Sequence, residues 1–375
     1  MTSDHNHPGR ATAQAADHRS YGVVVIKTTR RRPWWQRVDR FMAAIVLAAI
    51  IATLLPARGA AVPVVDWASR IMIAVLFFLY GVRLRPDETL AGLRHWRLHG
   101  VILSFTFLIF PLLGLAMRPL VPQLISEDVY RGLLWICLLP STVQSSINFT
   151  SIARGNVAAA IVSASMSNLL GVFITPLLAI ALMSTTGLFL DATSILDIAA
   201  QILLPFVLGQ LSRRWTADFL ARHRKLKLVD QASIVLVVYK AFGQGVRDGL
   251  WQRTGWADIV IILSSTAVIL MVMLWLTWWV AAKLHFNRRD QIAIQFCGTK
   301  KSLATGVPMA SVLFPAAQVG IIVLPLMIFH QAQLMTCSAL ASRYAKKDQA
   351  WLGVANRPGY SKDNPDDDSA GDGER

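Results

Sequence analysis

The feature that most limits the possible folds of this chain is a run of 24 residues without a charged side chain, from Ile259 to Ala282. As an α-helix this run is about 36 Å long at ~1.5 Å per residue, which is enough to cross the hydrocarbon core of a bilayer. The chain of 375 residues is 54% hydrophobic and only 16% charged, a composition too apolar for an ordinary soluble domain. We therefore predict an all-α integral membrane protein.

Apolar segments recur along the chain and predict ten membrane spans. They are roughly Phe41–Leu55, Trp67–Val82, His99–Met117, Gly132–Phe149, Val157–Met183, Ile195–Leu211, Leu228–Phe242, Ile259–Lys283, Gln291–Leu313 and Gly320–Ala341. The first span is short and follows a basic flank, as in a signal peptide. Because forty residues precede it and many spans follow, we interpret it as an uncleaved helix.

Basic residues lie in alternate connections between the spans, and such connections are retained in the cytoplasm. They are Lys27, Arg30, Arg31, Arg32, Arg37 and Arg40 before the first span, Arg83, Arg85, Arg94 and Arg97 in loop two, Arg213, Arg214, Arg222, Arg224, Lys225 and Lys227 in loop six, and Arg288 and Arg289 in loop eight. Loops five and nine, near Gly187–Asp191 and Pro315–Gln318, have none. We predict a multi-pass protein of the cell (inner) membrane with both termini cytoplasmic.

The net charge of +15 comes from these short loops and not from a basic groove with interleaved aromatic residues, so the sequence does not indicate nucleic-acid binding. Three cysteines, Cys137, Cys297 and Cys337, lie in apolar spans without metal-ligand spacing. They indicate neither a disulfide framework nor a metal site.

Ten spans divide into two sets of five, at about residues 41–183 and 195–341. An odd number of spans per set inverts the second set in the membrane, which is the inverted-repeat architecture of many transporters. We predict a transporter domain at residues 34–345. Residues 1–33 and 346–375 are polar and irregular, and we expect them to be disordered cytoplasmic tails.

The fourth span of each set is interrupted by polar residues, and broken backbone in a bilayer is tolerated only where it is buried in protein or lines a wet cavity. In the first set, Pro140 disfavours a continuous helix and precedes hydroxyl and amide side chains that suit a cation or a substrate. They are Ser141, Thr142, Gln144, Ser145, Ser146 and Asn148. The alternative is a kinked helix whose serines bond to their own backbone.

The second interruption contains Thr299, Lys300, Lys301 and Ser302. Each lysine inside a hydrophobic span costs roughly 2.5–3.5 kcal/mol on an insertion scale, so it must face a cavity or a partner. In a helix, adjacent side chains point about 100° apart, so we expect one of the two lysines to face the central site. The alternative is that the span begins later and that the lysines are interfacial.

The tenth span has three polar side chains within His330-Gln331-Ala332-Gln333, too many to face lipid. We expect His330 or Gln333 to reach a substrate cavity; the alternative is hydrogen bonding between helices. In the fifth span, Ser163, Ser165, Ser167 and Asn168 pass the same depth, where small residues also permit close packing.

Enzyme motifs are missing from the sequence: it has no nucleophile elbow, HExxH helix, phosphate loop or glycine-rich dinucleotide fingerprint. A hydrolase built on Ser302 and Lys301 would lack a specified oxyanion hole. We predict a protein that is not an enzyme and needs no cofactor: a secondary transporter of a small amphipathic or carboxylate-bearing solute. The alternative is a non-transporting membrane regulator or ligand sensor of the same fold.

The residues that carry this prediction also resemble a known family, the bile acid:sodium symporters, and within it the symporter-like branch that includes bacterial transporters. The resemblance covers roughly residues 35–345. Its motifs are Leu139–Ser146, the Ala153-Arg154-Gly155-Asn156 turn, Thr175-Pro176 and Gly298–Ser302. It implies a ten-helix transporter with a panel domain and a core domain, in which the broken fourth and ninth helices cross in the core.

The resemblance also implies positions for sodium ligands, on which this sequence departs from the family. Oxygen ligands are retained at Ser146 and Asn168, the only residues we assign to sodium. Other family ligands fall on Ile147, Ala164, Phe296 and Lys300, and Asn148 would serve only in a shifted register. An ammonium at Lys300 would repel a metal cation a few ångströms away. Our hypothesis is therefore an organic-anion transporter in which a lysine replaces a sodium ion.

Overall fold

The chain is helical in the part that the structure describes. A computed structural model describes residues 40–83, 95–183, 199–223, 226–249 and 255–355, and these ranges contain no β-strand. The α-helices are α1 (Arg40–Leu54), α2 (Ala61–Arg83), α3 (Trp96–Ser104), α4 (Phe110–Ala116), α5 (Glu127–Leu138), α6 (Val143–Ile152), α7 (Val157–Met183), α8 (Leu204–Arg222), α9 (Leu226–Arg247), α10 (Trp256–Lys283), α11 (Arg288–Thr299), α12 (Leu303–Leu313) and α13 (Ala316–Ala355). The predicted all-α class is confirmed.

Five helical stretches within the described residues are long and apolar enough to cross a membrane: Ala61–Arg83, Trp96–Leu120, Val157–Met183, Trp256–Lys283 and Ala316–Lys346. Their exposed side chains include large apolar ones that suit contact with lipid, such as Val268 and Met271 on α10 and Leu177 on α7. The second of these stretches is not a uniform α-helix, because a π-helical turn, Phe105–Ile109, joins α3 to α4. A π turn shifts the backbone hydrogen-bond register.

Helix ends differ from the predicted spans more than helix positions do. α7 has the predicted bounds, whereas α2 begins at Ala61 instead of Trp67. α13 continues to Ala355, ten residues past the predicted domain end at 345, because Lys346, Lys347 and Gln349 are good helix formers although they are polar. The predicted tail 1–33, residues 356–375 and residues 84–94 and 184–198, which hold most of loops two and five, lie outside the described residues.

Two interruptions divide helices where the sequence predicts them. Between α5 and α6 the backbone is extended, from Leu139 (φ −78°, ψ 154°) to Thr142 (φ −77°, ψ 138°). Between α11 and α12 it is extended at Lys300 (φ −85°, ψ 150°) and Ser302 (φ −85°, ψ 110°). Pro140 explains the first interruption because it has no N–H to donate within a helix. We call residues 139–142 and 300–302 the first and second break.

The two breaks meet in the interior of the bundle. The N–H of Ser302 donates to the carbonyl oxygen of Pro140 at 2.9 Å. Every side chain from Ile292 to Leu303 is buried, and α5 is buried along most of its length. The polar residues of both breaks therefore lie together inside an otherwise apolar core.

Candidate functional site

The first break is held against α11 and α7 by its own hydroxyl and amide groups. The hydroxyl of Ser141 donates to the carbonyl oxygen of Cys297 at 2.7 Å, and the hydroxyl of Ser146 donates to the carbonyl of Phe296 at 3.3 Å. The backbone N–H of Ser141 donates to the hydroxyl oxygen of Ser167 at 2.9 Å. Side chains thus satisfy backbone groups that an unbroken helix would have paired internally.

Four hydroxyl groups cluster at the start of α6. The oxygens of Thr142 and Ser145 are 2.6 Å apart, those of Thr142 and Ser146 3.3 Å, and those of Ser141 and Ser146 3.5 Å. The Asn168 amide nitrogen donates to the carbonyl oxygens of Ser141 at 2.9 Å and of Ala164 at 3.2 Å. Ser141 therefore links Ser146 to Asn168, the two residues with retained oxygen ligands.

The ammonium of Lys301 lies in a cage of three backbone carbonyl oxygens. Its Nζ donates to Leu139 at 2.7 Å, Thr106 at 2.9 Å and Cys137 at 3.1 Å, and it lies 3.9 Å from the centroid of the Phe110 ring. An ammonium has three N–H donors, so the cage satisfies all of them. We call these three oxygens the carbonyl cage.

Helix termini and the π turn make the carbonyl cage possible. Cys137 and Leu139 lie at the C-terminal end of α5, where carbonyls have no partner within the helix and the helix dipole is negative. Thr106 lies in the π turn. The oxygens of the cage therefore come from the backbone. The positive charge inside it comes from the Lys301 side chain of the second break.

The ammonium of Lys300 is held differently. Its Nζ donates to the carbonyl of Ser145 at 3.2 Å and lies over two aromatic rings, 3.6 Å from the centroid of Phe149 and 5.7 Å from that of Phe296. A ring face attracts a cation by its quadrupole. Both lysines have no exposed surface, so each of them faces partners within the protein.

Gln333 holds the backbone of the second break. Its side-chain oxygen accepts from the N–H of Lys301 at 2.9 Å, and its amide nitrogen donates to the carbonyl of the same residue at 2.9 Å. The amide nitrogen also lies 2.8 Å from Nδ1 of His330. Gln333 is fully buried and His330 partly buried. The tenth span thus contributes hydrogen bonds to the backbone of the second break.

The remaining predicted residues divide into two groups. Ser302 caps α12, because its hydroxyl accepts from the N–H of Thr305 at 3.3 Å, and Thr299 points to α10, with its hydroxyl 3.2 Å from that of Thr277. Gln144 and Asn148 are not part of the buried cluster. Both are exposed on α6.

Comparison with known proteins identifies the family of the chain. Residues 39–346 match the sequence profile of the SBF-like CPA transporter family. The chain belongs to this family. It is 48% identical over 325 residues to an uncharacterized protein of Pseudomonas aeruginosa, covering 85% of this chain and 97% of that protein.

Two further relatives have names that indicate transport. One, named "Putative symporter YfeH", is from Escherichia coli and is 44% identical over 313 residues, which cover 83% of this chain and 94% of the relative. The other, "Sodium/bile acid cotransporter 7" of Mus musculus, is 30% identical over 312 residues, covering 81% and 92%. The resemblance stated from the sequence is confirmed, and the family and its apolar helices together indicate a multi-pass membrane protein.

In this SBF-like CPA transporter, sequence reasoning missed the main partners of the lysines. The carbonyls of Thr106, Cys137 and Leu139 have no side-chain signal, and the rings of Phe110 and Phe149 look like ordinary core residues. Ser167 was detectable, since it belongs to the polar series in the fifth span. Among the described residues, no group of three or more His, Cys, Asp or Glu side chains is placed to hold a metal ion.

Proposed function

We propose that this protein is a secondary active transporter that moves a small organic anion by alternating access, with a lysine ammonium in place of a sodium ion. The observation that carries the proposal is the carbonyl cage around Lys301. Oxygen cages of this kind replace the hydration shell of a metal cation in ion-conducting proteins. Here the cation belongs to the chain itself.

The cage favours Lys301, and not the Lys300 singled out from the sequence, as the sodium substitute. A sodium ion about 4 Å from a fixed ammonium would meet a repulsion of about 4 kcal/mol at an effective dielectric constant of ~20. It would also compete for carbonyl oxygens that already accept from Lys301. Ser146 and Asn168 remain as the proposed sodium ligands, should an ion bind farther from the cage.

Lys300 is the proposed partner of the transported anion. Its ammonium has one carbonyl acceptor and two aromatic faces, which leaves more of its hydrogen-bonding capacity for a carboxylate or sulfate group than Lys301 has. The rings of Phe149 and Phe296 would contact the apolar part of an amphipathic anion. Because Lys300 is buried, the anion can reach it only after a movement that opens the site, as alternating access requires.

The proposed architecture is ten spans in two inverted repeats within residues 34–345. The lengths of the broken helices support it: α5 and α6 have 12 and 10 residues, and α11 and α12 have 12 and 11. Two inter-repeat contacts also support it. The hydroxyl of Ser126 donates to the carboxylate of Asp258 at 3.0 Å. The backbone N–H of Asn156 donates to the backbone carbonyl oxygen of Arg289 at 2.9 Å.

These contacts agree with the proposed number of spans, because the members of each pair must lie on the same side of the membrane. In a ten-span topology with cytoplasmic termini, Ser126 and Asp258 both lie at the outer surface, whereas Asn156 and Arg289 both lie at the cytoplasmic surface. Each pair is separated by four spans, so its members must return to the same side. The proposed partners are thus the bilayer and the transported anion.

The test begins with a thermal-shift screen of the purified protein against bile acids, aliphatic and aromatic carboxylates and organic sulfates, each with sodium and with choline, because specific binding raises apparent stability. Uptake of a stabilising anion is then measured in proteoliposomes with and without a sodium gradient. We expect uptake without sodium and its loss in Lys300→Gln.

Three outcomes would contradict the proposal. Strict sodium dependence of the wild type would refute the substitution by lysine. Unchanged uptake by Lys300→Gln would remove this residue from the anion site. Binding without flux under an anion gradient would favour the ligand sensor over the transporter.

A further inference from the structure

The C-terminal half of α8 exposes large apolar side chains beyond the point where its arginines begin. Leu211, Trp215 and Phe219 follow one another at four-residue spacing and are 66%, 73% and 56% exposed. At 100° per residue their directions lie within about 80° of one another, so they form one stripe along the helix. The stripe extends past Arg213 and Arg214, the first charged residues of α8.

Two exposed arginines accompany this stripe. Arg214 and Arg222 are exposed, and the guanidinium of Arg214 lies 5.6 Å from the centroid of the Trp215 ring. Asp218, the acidic residue between them, is also exposed, and in the described part of the chain it forms no ion pair with either arginine. Both guanidinium groups can therefore bind a partner from outside the chain. We call Arg214, Trp215, Phe219 and Arg222 the arginine–aromatic patch.

The sequence around the patch is strongly positive. The end of α8 lies on the same side of the molecule as the end of α2, since Arg83 bonds to Asp230 near the start of α9, and this is the side that we propose to be cytoplasmic. A basic cluster next to a membrane helix attracts anionic lipids of the cytoplasmic leaflet. Between residues 213 and 227 one acidic residue, Asp218, stands against six basic ones: Arg213, Arg214, Arg222, Arg224, Lys225 and Lys227.

The spacing along α8 agrees with the depth of the lipid headgroups. Tryptophan is enriched at the membrane–water interface, and the headgroup region on each side of a bilayer is roughly 5–7 Å thick. Phe219 lies about 6 Å beyond Trp215 along the helix axis, and Arg222 about 10 Å beyond it. The long stems of Arg214 and Arg222 allow both guanidinium groups to reach the layer of the phosphates.

We propose that the arginine–aromatic patch binds anionic phospholipids of the cytoplasmic leaflet. Arg214 and Arg222, about 12 Å apart along the axis, each hold a phosphate, because a guanidinium forms two parallel hydrogen bonds to phosphate oxygens. Leu211, Trp215 and Phe219 provide the apolar contact with the acyl chains, for which a soluble phosphate would have no use. The inference goes beyond the proposed function, because it does not depend on which solute the chain transports.

Lipid bound to α8 would restrain a second helix as well. A Cβ atom on Gly209 would collide with the carbonyl oxygen of Phe78 on α2, and one on Gly81 with the carbonyl oxygen of Phe206 on α8. The two helices are therefore in close backbone contact. Since a ligand that binds the folded state raises apparent stability, lipid binding at the patch should be visible in the melting temperature.

Thermal melting of the purified full chain in a mild detergent tests the site. Three additives are compared: phosphatidylglycerol, phosphatidylcholine with the same acyl chains, and glycerol 3-phosphate, which has the phosphate without the chains. We expect phosphatidylglycerol to raise the melting temperature more than phosphatidylcholine does, and glycerol 3-phosphate to have no effect at the same concentration. The excess due to phosphatidylglycerol should shrink at high salt, which screens exposed charges.

Arginine variants assign the excess to the patch. The double variant Arg214→Gln, Arg222→Gln should lose at least about half of it, since both charge-assisted phosphate contacts are gone. The corresponding double lysine variant keeps the charges without the bidentate geometry and should be intermediate. Arg70→Gln is the matched control and should keep the whole excess. Arg70 is exposed and lies 6.0 Å from the ring centroid of Trp67, in the half of α2 that is farther from Arg83.

Size-exclusion chromatography shows which variants are folded, and the lysine variant serves if the glutamine variant is not. The inference is overturned if a folded glutamine variant keeps the full excess, if Arg70→Gln loses as much, or if glycerol 3-phosphate stabilises as well as the lipid. Equal stabilisation by both lipids would also overturn it, because the patch would then not select anionic headgroups. A wild type without any response to phosphatidylglycerol would refute lipid binding and favour an acidic protein surface as the partner. None of these outcomes depends on solute flux, so failure here and failure of the proposed function are distinguishable.

Discussion

At the residue level, Lys300 and Lys301 are adjacent in sequence but hold their charges in different ways. Lys301 donates to three carbonyls, whereas Lys300 donates to one and lies over aromatic rings. The difference follows from the break, because Lys300 has an extended backbone and the two side chains leave the chain on different sides. A buried charge is tolerated when hydrogen bonds compensate for the water it loses, and Lys301 is compensated more completely.

Removing the Lys301 ammonium should show whether the carbonyl cage binds a metal cation in its place. We expect Lys301→Ala and Lys301→Met both to lower the melting temperature, since each carbonyl left without a donor costs on the order of 1–3 kcal/mol. Only Lys301→Ala leaves room for an ion. Its melting temperature, measured in detergent, should therefore rise with the logarithm of the NaCl concentration when compared with choline chloride.

Lys301→Met and Lys300→Met are the matched controls for this experiment. The methionine at 301 fills the space of the lysine stem without offering a donor, so its melting temperature should not respond to sodium. Lys300→Met removes a single carbonyl contact and should cost less stability. A Lys301→Ala protein whose melting temperature responds equally to NaCl and to choline chloride would contradict the idea that Lys301 has taken the place of the ion.

The sequence was sufficient to predict that both lysines need a partner or a cavity, because an ammonium in an apolar span is costly whatever the fold. It was not sufficient to identify the partners. Thr106, Cys137 and Leu139 act through their carbonyl oxygens, which every residue has, so only the three-dimensional path of the backbone distinguishes them. The assignment of the sodium substitute to Lys300 came from sequence correspondence, which does not show where Nζ lies.

At the level of the elements, the first break depends on a close approach of α7. A Cβ atom on Gly171 would lie 2.6 Å from Cβ and 2.7 Å from Cγ of Pro140, and the proline ring cannot rotate away. The bonds from Ser141 to Ser167 and from Asn168 to Ser141 join the same two segments. Gly171 therefore sets the distance at which these hydrogen bonds form.

We expect Gly171→Ala to lower the free energy of unfolding by about 1–3 kcal/mol, the usual cost of an extra methyl group in a packed site. Gly100→Ala on α3 is the control, because a Cβ there meets nothing within 4 Å. It should be neutral or stabilising by up to about 1 kcal/mol, since alanine is the better helix former. Thermal melting in one detergent compares both variants with the wild type, and equal melting temperatures for the two would contradict the close approach.

The positions of the elements were more predictable than their internal form. Pro140 and the run of hydroxyl residues indicated the first break, and Lys300 and Lys301 indicated the second. The π turn at Phe105–Ile109 left no such mark, because its residues are as apolar as those of a regular helix. The continuation of α13 to Ala355 was not predicted. Its last turns are polar, and a polar composition is also typical of a disordered tail.

For the whole molecule, α2 and α9 are paired at both ends. Arg83 at the end of α2 bonds to Asp230 near the start of α9, and Lys240 near the end of α9 lies 3.0 Å from Asp66 near the start of α2. The two helices are therefore antiparallel. As the second spans of the two proposed repeats, they are expected to run in opposite directions through the membrane.

The number of spans leads to a prediction about the C-terminus. If ten spans are present, a reporter fused after residue 375 is cytoplasmic, and one fused after Pro315, which follows nine spans, is periplasmic. In a bacterial host we expect green fluorescent protein to fluoresce only in the first fusion and alkaline phosphatase to be active only in the second. Matching results for the two junctions would mean that α13 does not cross the membrane, and reversed results would mean that the basic loops face outward, against the rule that they stay inside.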